Sequence, residues 1–362
     1  LVIFRLKSFI ISLFIFLVFE MISLYGFGWC LSMPVVVIGD WDADGFVSAA
    51  EVVFSQEVVG VYPVRDKHSA IAYPSTPRAL PQLLNRLAEV RGNEKLYLVL
   101  LDIAFTEHVK AFIRRVKKWN SYIVYVDHHL PTLLHQSAVE RIVDELIVGK
   151  RATAFLTSML LKSLGVKMTE RLSQFIDAVT HLESGLRYSN AKLAQLIITI
   201  SKAVTLSRDA ALWERIVRWL SSPLTYIALP YNISDVKRIV RNSAEYCNEK
   251  ALALDLAPTA IKLFNYRVVK LRKQPENCRF SAIVTALYRV FKSPVIVYSE
   301  EKNLLAVRTR DDKAYAISMK LYNQGLARDV MGHERLAIMK LKKEKSFDSV
   351  LEALRKILIE IG

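Results

Sequence analysis

At 362 residues, 52% of them apolar, the chain is long enough for about two domains and too apolar to be largely disordered. Its formal net charge of +15 points to a polyanionic partner: nucleic acid, anionic lipid or phosphorylated metabolites. Cys30, Cys247 and Cys278 are odd in number and in no C-x-x-C spacing, which argues against a disulfide framework or a zinc site and suits a reducing, intracellular compartment.

Residues 1–32 form a hydrophobic leader. Arg5 and Lys7 precede an apolar run from Phe9 to Phe19 that Glu20 interrupts, too short to span a bilayer uninterrupted and without a small-residue cleavage site. The chain begins with Leu1, whereas Met33-Pro34 stands directly before the first strand-like run. The expectation is that residues 1–32 are upstream sequence outside the native protein, with a membrane anchor as the alternative. A cytoplasmic protein without stable membrane association follows from the first reading.

Three short β-branched runs, Val35–Ile38, Leu96–Leu101 and Tyr122–Val126, have the composition of strands buried on both faces of a parallel sheet. Helical spacing lies between them, in Phe46, Ala49, Ala50 and Val53 and again in Val109, Phe112, Ile113 and Val116. Strand–helix alternation predicts right-handed crossovers, with a ligand site outside the carboxyl ends of the strands. Asp40, Asp42, Asp44, Asp102 and the Asp127-His128-His129 cluster all follow strand ends, so they are expected to meet at one edge.

From about Lys150 to Ala257 the pattern is helical, including Ala152–Leu164, Glu170–Leu182 and Asp209–Leu220, with breaks around Pro223 and Pro230. The last hundred residues change character: Arg267–Leu271, Pro294–Ser299 and Leu304–Val307 read as strands. A closing helix, Phe347–Ile361, is expected to be capped by Ser346. From Ile261 onward there are 21 basic and 11 acidic residues, so most of the net charge lies there.

The stretch Asp40-x-Asp42-x-Asp44-Gly45-x5-Glu51 matches the EF-hand calcium-loop pattern letter for letter. An EF-hand needs a helix entering its loop, and the entrance here has strand composition. A second reading takes the same stretch as a haloacid-dehalogenase-type signature with Asp42 as nucleophile and Asp44 as acid. That leaves Asp127-His128-His129 without a role. A third reading joins all three strand ends: carboxylates and imidazoles converging on one site suit two Mn²⁺ or Mg²⁺ ions roughly 3.5 to 4 Å apart. On it, Glu51 is an ordinary helix residue whose loss should leave metal-dependent activity nearly intact.

On these residues the chain resembles the DHH phosphoesterase superfamily, which includes RecJ-type exonucleases, oligoribonucleases and cyclic-dinucleotide phosphodiesterases. "GDWDADG" is similar to its motif I, Asp102 in "LLDIAFT" to motif II and "VDHH" to motif III; "PVIVYSEEKNLLAVRTR" and "DVMGHERLA" resemble parts of its DHHA1 substrate-binding domain. The resemblance implies an α/β architecture with a parallel-sheet DHH domain over 33–190, a helical connector over 191–260 and a smaller α/β DHHA1-like domain over 261–362.

It also implies roles. Asp42 and Asp102 would hold one metal with Asp40 near it, and Asp44, Asp102 and His128 the second, so that Asp102 bridges. His129 would contact phosphate, and Asp127 would orient the histidine pair. For the fourth motif "FIDAVTHLESG" offers Asp177, His181 and Glu183; Asp177 is favoured as ligand, with His181 supporting it from the same helical face. In the second domain the family's paired glycines are reduced to Gly332, followed by His333; these two and Arg308 are the candidate substrate contacts.

The expected function is two-metal hydrolysis of single-stranded DNA or RNA, or of short oligonucleotides, from an end held by the basic domain. Replication or repair proteins are the candidate protein partners. A catalytically silent scaffold and a cyclic-dinucleotide phosphodiesterase are the alternatives. Tyr266, Tyr288, Phe291 and Tyr315 are candidate base-stacking aromatics.

Overall fold

The computed structural model describes residues 34–224, 233–242, 247–342 and 347–361. The predicted leader, the break at Pro230 and the Ser346 cap lie outside the described residues.

Val35–Gly39 forms β1, buried along its whole length, as its unbroken apolar composition requires. With β2 (Ala70–Pro74), β3 (Leu96–Leu101), β4 (Ser121–Asp127) and β5 (Glu145–Val148) it builds an all-parallel sheet in the order β2-β1-β3-β4-β5. The chain goes from β1 to β2 on one side and then crosses to β3 on the other. This reversal makes a switch point between the carboxyl ends of β1 and β3, the place where such sheets bind ligands. Asp40 follows β1 and Asp102 follows β3. Sequence patterning missed the edge strands: β2 is Ala-Ile-Ala-Tyr-Pro, poor in β-formers, and β5 is only half-buried.

Helix α1 (Ala43–Val53) leaves the end of β1 and continues into a wider-turned segment, Phe54–Val59. After α2 (Leu84–Arg91), α3 (Glu107–Val116) buries Val109, Phe112, Ile113 and Val116 on one stripe against the sheet. Thr106 caps it, its side chain accepting from the Val109 amide. Short helices α4 (Leu130–Leu134) and α5 (Gln136–Glu140) follow β4. Then come α6 (Thr153–Ser163), α7 (Glu170–Glu183), α8 (Ala191–Ser207), α9 (Ala210–Ser221), α10 (Ile233–Asn242) and α11 (Glu249–Leu256). Helix α1 packs against α6, α7 and α9.

A second, mixed sheet has the order β10-β11-β9-β8-β7-β6. Its strands are β6 (Ile261–Leu263), β7 (Tyr266–Leu271), β8 (Val295–Ser299), β9 (Leu304–Arg308), β10 (Ala327–His333) and β11 (Leu336–Leu341). Only β7 and β8 pair in parallel. Helices α12 (Phe280–Phe291), α13 (Lys313–Asn323) and α14 (Phe347–Ile361) cover it. The Gly332-His333 segment is the end of a hairpin strand, with His333 opposite Leu336. At Gly332 φ is +100° and a Cβ would sit 2.1 Å from the Leu336 carbonyl oxygen, so the turn admits only glycine. Its evident task is this close approach of two strands. Leu130 is buried in the core of this second sheet, with Leu133 and Leu134 packed against it. The segment after His128-His129 is thereby clamped between the two sheets.

The expectation that the cysteines form no disulfide is corrected: Cys247 and Cys278 are bonded, 31 residues apart in sequence and with Cα atoms 5.1 Å apart. Spacing could not reveal the pair, because packing of α11 on α12 brings the two buried thiols together. Closing a loop of this length stabilises by about 3 to 4 kcal/mol through the unfolded chain. Cys247→Ser should lower the urea midpoint accordingly under oxidising conditions, and dithiothreitol should shift the parent chain but not the variant. Among the described residues no helix is long and apolar enough to cross a membrane.

Candidate metal centre

The acidic loop after β1 is tight. A Cβ on Gly45 would lie 2.3 Å from the Asp40 carbonyl oxygen, so the turn into α1 requires glycine there. Asp42 caps α1, one carboxylate oxygen accepting from the amides of Asp44 (3.1 Å) and Gly45 (3.2 Å). Asp44 is buried and accepts from the Thr153 (2.7 Å) and Ala154 (2.8 Å) amides at the start of α6. The carboxylate of one helix start is thus gripped by the start of another.

Asp102 is buried at the end of β3 with φ +60°, a left-handed conformation uncommon outside glycine. It caps no helix, since Thr106 performs that task for α3. Thr153 Oγ1 donates to its Oδ1 at 3.0 Å. His128 Nε2 lies 3.3 Å from Asp102 Oδ1 and 3.5 Å from Asp44 Oδ2. His129 Nδ1 is 2.7 Å from Asp127 Oδ1, and Thr132 Oγ1 donates to the other Asp127 oxygen. Asp127 therefore locks the imidazole of His129.

Two groups among the described residues offer ligand atoms within 4.8 Å of one another: Asp40, Asp42 and Asp102, and Asp102, His128 and His129. Asp102 belongs to both. The first trio is the one expected; in the second, His129 joins Asp102 and His128, while Asp44, which accepts from the start of α6, keeps Oδ2 3.5 Å from His128 Nε2. The electrostatics fit a cation. Burial first, and then Asp42, raise the Asp40 carboxyl to about 7; Asp44 also reaches about 7, with burial the largest cause. Burial and the Asp44 charge push Asp102 well above the usual carboxylate range. Carboxylate and imidazole donors together suit a divalent cation. Burial, helped by His129, lowers His128 to about 3 and keeps its imidazole neutral. Burial would also depress His129, but Asp127, with Asp40 and Asp42, raises it to about 9.

The structure does not bring Asp177 to this cluster. It is exposed on α7 and lies 3.3 Å from His181 Nδ1, which also contacts the Asp177 carbonyl oxygen at 2.8 Å. Glu183, at the end of the same helix, is the acid that feels the site. Burial and then the charges of Asp42 and Asp44 raise it to about 8, while Arg308 and His129 act in the opposite sense. Six residues of helix turn the chain by about 600°, so Asp177 and Glu183 point about 120° apart and cannot serve one site together. The signal for Glu183 was positional: it ends the helix rather than sharing its Asp177–His181 face.

From the second sheet, the His333 ring stacks on His128 with centroids 5.8 Å apart. Arg308 is buried at the end of β9 beside Gly185, its guanidinium 5.8 Å from the Tyr288 ring centroid. Arg335, which sequence reasoning did not single out, donates from Nη1 to the Ser184 carbonyl oxygen. Of the three expected substrate contacts from this sheet, Arg308 and His333 thus lie near the cluster, Gly332 shapes the hairpin beside them, and Arg335 ties the hairpin to the end of α7.

Glu51 is no calcium ligand, since residues 43–53 are helix and it lies two turns beyond Asp44. It is fully buried, and neither carboxyl oxygen has a partner among the described residues. Burial, then Asp44, pushes its carboxyl well above the usual range, so the folded chain keeps a proton that the unfolded chain releases. Stability from this group is present below the unfolded value of about 4.3 and is lost as pH rises towards the folded one. Glu51→Gln should therefore show a smaller fall in melting temperature from pH 5 to pH 8 than the parent chain.

No protein-family profile and no curated protein matches this sequence. Solved structures do. A DHH-domain protein, described as a member of a family of ribosomal proteins, superposes with a TM-score of 0.60 at 15% identity, covering 91% of this chain and 87% of that one. RecJ from Thermus thermophilus in complex with Mn²⁺ gives 0.54 at 14%, over 94% of this chain and 54% of RecJ, so this chain spans about half the RecJ length. An exopolyphosphatase-related protein from Bacteroides fragilis gives 0.50 at 13%, over 91% and 92%. At these identities the likeness is one of fold.

Proposed function

We propose that this chain, which has the DHH fold, is a divalent-metal-dependent phosphodiesterase acting on single-stranded nucleic acid or short oligonucleotides. The observation that carries this reading is the sharing of Asp102 between two potential ligand groups at the β1/β3 switch point. Asp40, Asp42, Asp102 and His128 would hold two Mn²⁺ or Mg²⁺ ions, with Glu183 as a further acid at the rim and the cationic His129 set to contact a substrate phosphate. Bound there, the ions would activate water and stabilise the charge that develops at phosphorus.

The chain's own residues have distinct tasks in this reading. Asp127, itself held by Thr132, keeps His129 in one orientation. Asp44, gripped by the start of α6, fixes the acidic loop against His128. Arg308 and His333 would grip a substrate phosphate from the second sheet, where the Arg308 charge already acts on Glu183. The division into a DHH-type part, a helical connector and a basic DHHA1-like part is the frame we assign to these roles. The RecJ structure with Mn²⁺ supports the choice of ion.

The test is a panel with the full chain and Mn²⁺: 5′- and 3′-labelled single strands, dinucleotides and cyclic dinucleotides. Stepwise release of nucleotides from the linear strands or dinucleotides, abolished by EDTA, is expected. Hydrolysis of none of them contradicts the reading, and cleavage of cyclic dinucleotides alone replaces the substrate class.

A further inference from the structure

The aromatics expected to stack bases do not stand free to do so. Tyr266 is buried in the second sheet's core and Tyr315 packs against it, while Tyr288 and Phe291 pack against the core on the opposite face. Trp41 is different. It lies in the acidic loop itself, between Asp40 and Asp42, half-buried, and is not among the residues of the two core clusters that hold those four aromatics.

The backbone on each side of Trp41 is pinned by the helices behind it. Trp213 of α9 donates from Nε1 to the Asp40 carbonyl oxygen at 2.9 Å, and the Ala43 amide donates to Ser201 Oγ of α8 at 3.2 Å. Thr205 Oγ1 donates to the Trp41 carbonyl oxygen at 3.5 Å. The ring is therefore carried by a rigid support at the rim of the metal cluster. Arg208, the residue that ends α8, lies with its guanidinium carbon 5.1 Å from the Trp41 ring centroid. It takes φ +52° in doing so, and its charge reaches Asp40. A second guanidinium meets the same helix end from the second sheet's side: Arg279 Nη2 donates to the Thr205 carbonyl oxygen at 3.4 Å.

An indole and two guanidiniums beside a phosphodiester-cleaving centre have the composition of a single-strand groove, in which bases stack on aromatic rings and cations follow the backbone. We propose that Trp41, backed by Arg208, is the platform on which a base adjoining the scissile phosphate stacks, and that it makes the enzyme require a base as well as a phosphodiester. The ligand class is thus a base-bearing single strand, read without base identity. This rests on the nucleic-acid phosphodiesterase reading above.

The experiment compares an end-labelled oligothymidylate with a strand of the same length in which the sugars are abasic, using the full chain. The ratio of kcat/KM for the base-bearing strand to that for the abasic one should fall by roughly tenfold or more in Trp41→Ala, the scale of one lost base–aromatic stack. Trp41→Phe should keep most of it. The same ratio is measured for equilibrium binding, by anisotropy in EDTA. Hydrolysis of neither strand by the parent chain would sink the phosphodiesterase reading while the binding ratio still tests the platform. An unchanged ratio in Trp41→Ala, or an equal loss on both strands, overturns the proposal: in the first case Trp41 touches no base, and in the second it only shapes the loop.

Discussion

Asp102→Asn should lower Mn²⁺-dependent hydrolysis by more than about a hundredfold, since even groups that merely orient metal ligands cost roughly 10- to 100-fold when removed. Asp102 carries this expectation because, among the described residues, it alone belongs to both potential ligand groups. The same substitution should have the opposite effect on stability. In EDTA the buried Asp102 carboxyl is forced against Asp44, Asp42, Asp127 and Asp40, with burial as the largest unfavourable influence. Asparagine removes that charge at nearly equal volume, so the metal-free melting temperature at pH 8 should rise. Metal binds the folded chain and not the unfolded one, so Mn²⁺ should stabilise the parent and barely move the variant. Activity lost while metal-free stability is gained distinguishes a ligand from a merely structural acid.

The second large effect separates two acids of one helix. Glu183→Gln should cost roughly tenfold or more in kcat/KM, on the scale of a group that supports metal or phosphate ligands. Asp177→Asn should change it less than about twofold, as surface substitutions away from special features usually do. Glu183 is drawn into the field of Asp42, Asp44, His129 and Arg308, whereas Asp177 is solvent-exposed and paired with His181. Steady-state kinetics of the two variants on the same labelled strand decides between them.

That pair marks where sequence reasoning reached its limit. The strand ends were legible because β1, β3 and β4 are buried on both faces and so write unbroken apolar runs, each stopped by an acid. Parallel pairing then brings those acids to one edge without further information. Asp40, Asp42, Asp102, His128 and His129 were placed correctly in space by this argument alone. Which residue of a helix reaches a neighbouring site is a matter of rotation and docking, and the i, i+4 pair of Asp177 and His181 was a local pattern with a local explanation: the two bind each other. Asp44 shows the same limit. Its proximity to His128 was legible, but its use by the Thr153 and Ala154 amides depends on a helix more than a hundred residues away. The disulfide, the β10–β11 hairpin and the latch of Arg335 on Ser184 are likewise contacts between distant segments.

Glu51 carries the contrast furthest. As the last letter of a calcium pattern it looked like a ligand, and as a helix residue it looked ordinary. It is neither, being a fully buried carboxyl without a partner among the described residues, kept neutral by its surroundings. Its substitution is expected to register in the pH dependence of stability.

Whether Asp102 is shared by two ions is decided by a calorimetric titration of the full metal-free chain with Mn²⁺ at pH 8, paired with the same titration of Asp102→Ala. Two ions bound per parent chain, with both sites weakened or lost in the variant, is the result expected of a carboxylate shared between two ligand groups. No saturable binding by the parent, or an unaltered two-ion isotherm in Asp102→Ala, would contradict the account.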